Sequence, residues 1–243
     1  MTILMNILVP LLFVTIGYFI GAIPTGVIIG KAFYHIDPRD YGSGGSGGTN
    51  SSRVLGKKAG LIVIALDILK AVIVFYSCWA ILNFSGIKSI APLWDEGVFY
   101  LWFSMVAVAI GHCYPIYIGF RGGKAVACFM GSTVSCGWIM FVIDAIAFFS
   151  VYKIGKKRNV VSRASIISGA AICVIVSAIA IINECGISTN FFCWDFGCSG
   201  LLKIGYEAAV ANAAIYILLV YRHHENIKRL KEGTEKEYNL FGK

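Results

Sequence analysis

The sequence predicts an all-α integral membrane protein of about seven transmembrane helices, with its N-terminus outside and its C-terminus cytoplasmic. Three observations predict it. The 243 residues are 58% hydrophobic and only 14% charged, with a mean hydropathy of +0.76. A water-soluble domain averages about half apolar and about a quarter charged. The charged residues also fall in short clusters between long apolar runs, and those clusters alternate in sign along the chain.

Spanning helices need about 17–25 apolar residues. Such runs are expected at about 4–30, 59–82, 98–118, 124–137, 138–153, 164–183 and 200–221. The first has no basic residue before it and no small-residue cleavage site, so it reads as a spanning helix, not a leader. The region 125–152 has length for two short spans, or for one long span with a re-entrant piece. Charge parity favours two crossings, because both flanks, 119–124 and 153–163, are basic. No internal repeat or low-complexity tail interrupts the pattern, so residues 1–243 are expected to form a single polytopic domain.

A net charge of +8 raises the question of nucleic acid, but its placement argues against such a partner. Five basic residues lie in 31–58, five in 153–163 and six in 222–243. The intervening turns, 83–96 and 184–199, carry Lys88 against Asp95, Glu96, Glu184 and Asp195. Basic loops mark the cytoplasmic side of a membrane. Cys78, Cys113, Cys128, Cys136 and Cys173 sit in or beside apolar segments as small hydrophobes. Cys185, Cys193 and Cys198 share one external turn, where a single bridge has room. No metal-ligand spacing is present, and neither a metal nor a cofactor is expected.

Three blocks carry chemistry, and all fall on the basic side. The first is Tyr41–Asn50, Y-G-S-G-G-S-G-G-T-N, running on to Arg53 and Gly56-Lys57-Lys58-Ala59-Gly60. Gly42, Gly44 and Gly47 free backbone N–H groups to turn toward an anion, while Ser43, Ser46, Thr49 and Asn50 add neutral donors. On composition alone a flexible Gly/Ser linker is equally open. The second block is Gly111-His112-Cys113-Tyr114-Pro115 and Gly119-Phe120-Arg121-Gly122-Gly123-Lys124. Gly122, Gly123 and Lys124 form a compact anion site, although Arg121 and Lys124 also suit membrane anchors and His112 a structural histidine. The third block, Arg222 to Glu235, puts His223, Asn226 and Arg229 on one helix face, suited to a phosphorylated polar molecule or to anionic headgroups. Asp67 and Lys70, one turn apart inside an apolar helix, are expected to pair; Asp144 and Glu207 have no assigned role. His35–Asp40 satisfies H-x-x-x-x-D, the dyad of one widespread acyltransferase superfamily; without that superfamily's phosphate-binding block it reads as accidental.

In this order the blocks resemble the bacterial acyl-phosphate-dependent glycerol-3-phosphate acyltransferases over nearly the whole chain. The matching strings are Gly21–Gly26, G-S-G-x-x-G-x-T-N at Gly42–Asn50 with Arg53, L-G-K-K-A-G at Leu55–Gly60 and L-D-x-L-K at Leu66–Lys70. They continue with G-H-x-x-P at Gly111–Pro115, G-F-x-G-G-K at Gly119–Lys124 and N-I-x-R-L-x-x-G-T-E at Asn226–Glu235. The resemblance implies that Ser43, Arg53 and Lys124 are catalytic and that His223 and Asn226 hold glycerol 3-phosphate. It further implies that Gly42, Gly44 and Gly47 cradle acyl phosphate, with Thr49, Asn50, His112, Gly122, Gly123, Arg229 and Glu235 supporting substrate binding. The chain departs from the family at Gly45 (usually Asn), Gly48 (usually Ala), Ala125 (usually Gly) and His224 (usually Arg).

An acyl phosphate is already activated, so no covalent nucleophile is required; the site must bring two anions together and stabilise developing charge. The resemblance implies a substrate phosphate as proton acceptor, with Ser43 as donor or relay. The expected partners are acyl phosphate, glycerol 3-phosphate and membrane lipids, with the protein a monomer in the bacterial plasma membrane and its site facing the cytoplasm. A transporter of a small phosphorylated solute shares the anion sites, but predicts inverted repeats and polar groups at mid-membrane. A non-catalytic scaffold leaves the one-sided clustering of Gly, Ser, Arg and Lys unexplained.

Overall fold

A computed structural model describes residues 2–86, 98–154, 160–187 and 204–239, and every regular element among them is helical. The first apolar stretch contains α1 (Thr2–Gly21) and α2 (Thr25–Tyr34); α3 (Gly48–Val54) and α4 (Lys57–Phe84) follow a glycine-rich loop. Next come α5 (Val98–Cys113), α6 (Val126–Cys136), α7 (Trp138–Lys153) and α8 (Val161–Glu184). The chain closes with α9 (Tyr206–Arg222) and α10 (His224–Lys231).

The stretch expected as one helix over 4–30 is two helices, parted at Ala22–Pro24. Proline has no N–H to donate and its ring crowds the preceding turn, so the helix ends before it and restarts at Thr25. The buried ammonium of Lys70 donates to the Ile23 carbonyl at this break, 3.2 Å away. Irregular backbone within a membrane requires such a partner. The expected spans 124–137 and 138–153 correspond to α6 and α7, separated only by Gly137 at φ 136°. At about 1.5 Å per residue, α6 rises about 16 Å, short of the roughly 30 Å hydrocarbon core. Four helical stretches among the described residues are long and apolar enough to cross: Leu4–Tyr34, Lys57–Phe84, Phe99–Ile118 and Val161–Glu184. Most of the external turns expected at 83–96 and 184–199 lies outside the described residues, as do Cys193 and Cys198; Cys185 is an exposed free thiol.

Lipid tails are as apolar as leucine, so helices in a bilayer associate through close packing and small residues. The seam between α1 and α5 has this form. A Cβ on Gly17 would lie 2.4 Å from the Ser104 carbonyl oxygen, one on Gly21 2.3 Å from that of Val108, and one on Gly111 2.2 Å from that of Tyr18. Above this seam Phe13 meets Tyr100 edge-on at 6.0 Å. The opposite face of α1, with Leu4, Ile7, Leu8 and Leu11, is exposed and suits lipid. On the other side of the bundle Asn212 of α9 accepts from Ser132 of α6 at 2.7 Å. These contacts fix the helix ends between which the three sequence blocks meet.

Candidate active site

The glycine-rich loop is ordered by one side chain. Asn50, buried in α3, accepts from the Ser43 N–H at 2.7 Å and lies 3.1 Å from the Ser43 hydroxyl. Its amide nitrogen donates to the carbonyls of Pro38 at 2.7 Å, Gly45 at 2.8 Å and Tyr41 at 3.2 Å. Gly42 and Gly44 bend the loop around it at φ 65° and 71°, and a Cβ on Gly42 would approach Asn50 Oδ1 to 2.3 Å. The linker alternative is therefore replaced by a pinned loop, and Asn50 is its organiser.

The second block rests on a buried polar floor. Asp67 Oδ1 accepts from Thr25 of α2 at 2.7 Å and from Lys70 at 2.8 Å. Lys70 Nζ lies 3.2 Å from Nδ1 of His112, so the expected Asp67–Lys70 pair extends to α2 and α5. Gly123 lies directly on the imidazole, since a Cβ there would be 2.0 Å from His112 Nε2, and its N–H donates to the His112 carbonyl at 3.0 Å. From the other side Arg222 donates to the Gly123 carbonyl at 3.2 Å, with its guanidinium 5.0 Å above the Tyr114 ring. Lys124 is thus projected from a turn held on both faces.

The third block closes around Lys124. The Lys124 ammonium donates to Asn226 Oδ1, and Asn226 Nδ2 donates to Glu235 Oε1 at 2.6 Å. That carboxylate also accepts from Ser162 at 2.8 Å and from Arg229 at 2.7 Å. Burial acts to raise the Glu235 carboxyl, but the hydrogen bonds from Asn226, Arg229 and Ser162 outweigh it and hold the group below its usual range. Burial pushes the Lys124 ammonium down to about 8; nearby Glu235 opposes the shift, while Arg229, Arg53 and Arg222 add to it. Burial also pushes the His223 imidazole down to about 4. His223 Nδ1 faces the Leu219 carbonyl at 2.8 Å, which requires the proton on Nδ1 and leaves Nε2 an acceptor.

These groups surround a cavity of about 550 Å³. Ser43, Gly47, Thr49, Asn50 and Arg53 line it from the first block, and His112, Gly123 and Lys124 from the second. His223, Asn226 and Glu235 line it from the third, and Asp67 from α4. Its other end is apolar, with Leu61, Ile64, Ile68, Met130 and Phe149. Gly42, Gly44, Gly122 and Arg229 stand behind this lining, as supports for residues that reach it. His35 and Asp40, the H-x-x-x-x-D pair, are exposed and do not line the cavity.

Residues 11–233 match the family described as glycerol-3-phosphate acyltransferase. The chain belongs to the glycerol-3-phosphate acyltransferase family. It is 38% identical over 221 residues to the glycerol-3-phosphate acyltransferase of Staphylococcus aureus (strain JH9), covering 90% of this chain and 93% of that one. It is 35% identical over 225 residues to that of Macrococcus caseolyticus, covering 92% and 94%. Its fold is similar to the crystal structure of PlsY, an integral membrane glycerol 3-phosphate acyltransferase, in its glycerol 3-phosphate form. That likeness has a TM-score of 0.72 at 27% identity, over 96% of this chain and 99% of that one. The lysophosphatidic acid form of PlsY matches with a TM-score of 0.69.

Within this acyltransferase, local packing accounts for one of the unusual residues, Gly48, and not for Gly45 or Ala125. A Cβ at Gly48 would meet Ile64 Cγ1 at 2.2 Å, so Ile64 occupies the space of the alanine expected there. At Gly45 the nearest atoms to a Cβ are 3.9 Å away, so the site is open where asparagine was expected. Ala125 sits at φ 60°, a left-handed position that accounts for the glycine expected there. Sequence reasoning left Thr25, Ser162, Arg222 and Tyr238 without roles. Each is polar, but its partner lies far along the chain and appears only in the fold.

Proposed function

We propose that this membrane acyltransferase transfers an acyl group from acyl phosphate to the 1-hydroxyl of glycerol 3-phosphate, giving lysophosphatidic acid and phosphate, in phospholipid synthesis. The observation that supports it best is the joint lining of one cavity. Ser43, Arg53, Lys124, His223 and Asn226 gather at a polar end, while Ile64, Ile68, Met130 and Phe149 continue it as an apolar groove. An acyl phosphate has this division, a doubly charged head on a hydrocarbon tail. The basic loops around the polar end support a site at the cytoplasmic face, through the positive-inside rule. The same rule carries seven crossings with the N-terminus outside. We take the protein to act as a monomer, since residues of all three blocks in this one chain reach the cavity without a contribution from a second copy being needed to complete the set.

The reaction forms a bond between the glycerol oxygen and the acyl carbon and breaks the bond from that carbon to the phosphate oxygen. The hydroxyl proton goes to the departing phosphate. Glu235 does not serve as base, because Ser162, Asn226 and Arg229 occupy its oxygens. Neutral His223 presents an acceptor nitrogen that orients a substrate hydroxyl. Lys124 and Arg53 bring positive charge to both anions and to the carbonyl oxygen as it becomes negative. Ser43, at the rim of the pinned loop, donates a hydrogen bond or relays the proton.

Purified protein supplied with acyl phosphate and glycerol 3-phosphate is expected to release phosphate and 1-acyl-glycerol 3-phosphate. Turnover with acyl-CoA alone would overturn the assignment of donor. Lys124→Ala should lower kcat by about 10²–10³-fold while the protein still folds; wild-type turnover would remove Lys124 from the site.

A further inference from the structure

The family match ends at residue 233, yet the chain continues back across the site. Glu235 joins the third block, as described. Three residues later Tyr238 reaches the first block. Its hydroxyl lies 2.7 Å from Ser52 Oγ and 3.2 Å from the Ser52 carbonyl oxygen. With the phenol proton committed to the carbonyl, the Ser52 hydroxyl donates to the phenol oxygen. The Tyr238 carbonyl accepts from Tyr152 of α7 at 2.8 Å, which pins the tail from the opposite side. In this position the Tyr238 ring lies 5.4 Å from the Arg53 guanidinium.

We propose that Tyr238 is a positioning residue for Arg53, anchored between α3 and α7 so that its ring holds the guanidinium toward the cavity. This inference rests on the acyl-phosphate role of Arg53 proposed above. Arg53 belongs to a helix of only seven residues, too short to be rigid by itself. Its long side chain has many rotamers when free, and each one excluded in advance is entropy not lost on binding the donor. An aromatic face attracts a guanidinium and restricts it to one side without neutralising it. A carboxylate in the same place would compete with the substrate phosphate; a phenol ring does not. The tail therefore links the third block, through Glu235, to the first, through Ser52 and Arg53.

The test uses the full-length protein in detergent or nanodiscs, with acyl phosphate and glycerol 3-phosphate varied separately. Tyr238→Ala is expected to raise KM for acyl phosphate about tenfold, leaving KM for glycerol 3-phosphate and thermal unfolding close to wild type. Tyr238→Phe keeps the ring and should recover most of the loss, whereas Tyr238→Leu fills a similar volume without a π face and should not. In an Arg53→Lys background the further change Tyr238→Ala should add little, because the group being positioned has gone. Unchanged KM in both Tyr238→Ala and Tyr238→Leu would overturn the inference. So would equal rises in both KM values together with lower thermal stability, or fully additive losses with Arg53→Lys. A wild-type protein inactive with acyl phosphate, or Arg53→Ala at full activity, would overturn the underlying reading of the site. An active, Arg53-dependent enzyme indifferent to residue 238 removes this inference alone.

Discussion

Lys124 shows most directly how a single residue couples fold and function. Burial lowers its affinity for a proton, so the free enzyme loses the Lys124 charge as pH rises through about 8. If that charge holds the donor, kcat/KM should fall above about 8. A bound phosphate favours the charged ammonium, so the falling limb of kcat should lie at higher pH than that of kcat/KM. The effect on stability has the opposite sign. Between about 8 and the ordinary lysine value of 10.5 the unfolded chain binds the proton and the folded chain does not, so folding gains with pH in that window. Measuring both rate profiles for wild type and Lys124→Arg checks this: the arginine variant should lose the alkaline limb, whatever its absolute rate. The neighbouring Ala125 carries a smaller conflict. Its left-handed φ of 60° costs about 1–2 kcal/mol relative to glycine, against about 0.8 kcal/mol for burying the methyl group. Ala125→Gly is expected to stabilise the protein slightly, by less than about 1 kcal/mol, seen as a small rise in thermal midpoint.

At the scale of elements, α4 does most to organise the site. Through Asp67 it holds α2 at Thr25, and through Lys70 it meets the broken carbonyl of Ile23 and His112 of α5. Removing one partner of such a buried pair leaves an uncompensated charge. Lys70→Met should therefore destabilise the protein by about 3–5 kcal/mol. The double change Asp67→Asn with Lys70→Met should recover much of that loss, as followed by thermal unfolding in detergent. The same helix explains what the sequence made legible and what it did not. An Asp and a Lys at i, i+3 within an apolar run announce a pair, and their spacing brought them together as expected. That the pair also supports the Gly122–Lys124 turn depends on residues 42 and more positions away, which no local pattern reports. The helix break at Pro24 was overridden by hydropathy, because the run of apolar residues continues through it. The three blocks themselves were readable because each is a contiguous string of glycine, hydroxyl and basic residues; Tyr238 was not, being one aromatic residue in a polar tail.

For the whole molecule, the direction in which the cavity opens decides how a lipid-like donor reaches a site made of charged groups. Its apolar end includes Leu61, which is 67% exposed on the outer face of α4, together with Ile64, Ile68 and Met130 between α4 and α6. Under the proposed function, a hydrocarbon tail lying there would keep contact with bilayer-like surroundings while its phosphate reached the polar end lined by Ser43, Arg53 and Lys124. The donor would then enter sideways from the membrane, and glycerol 3-phosphate from the aqueous side, with each substrate excluded from the other's route by its own solvation. Each methylene that finds apolar surface contributes about 0.8 kcal/mol, so longer donors should bind more tightly until the groove ends. Filling the groove at Met130, beyond the polar groups, should therefore discriminate by chain length. Met130→Trp is expected to raise KM for long-chain acyl phosphates by about tenfold or more, while short-chain donors and glycerol 3-phosphate keep their wild-type values. An equal loss for donors of every length would mean that the tail does not lie between α4 and α6, and that the apolar lining serves only to seat these helices in lipid.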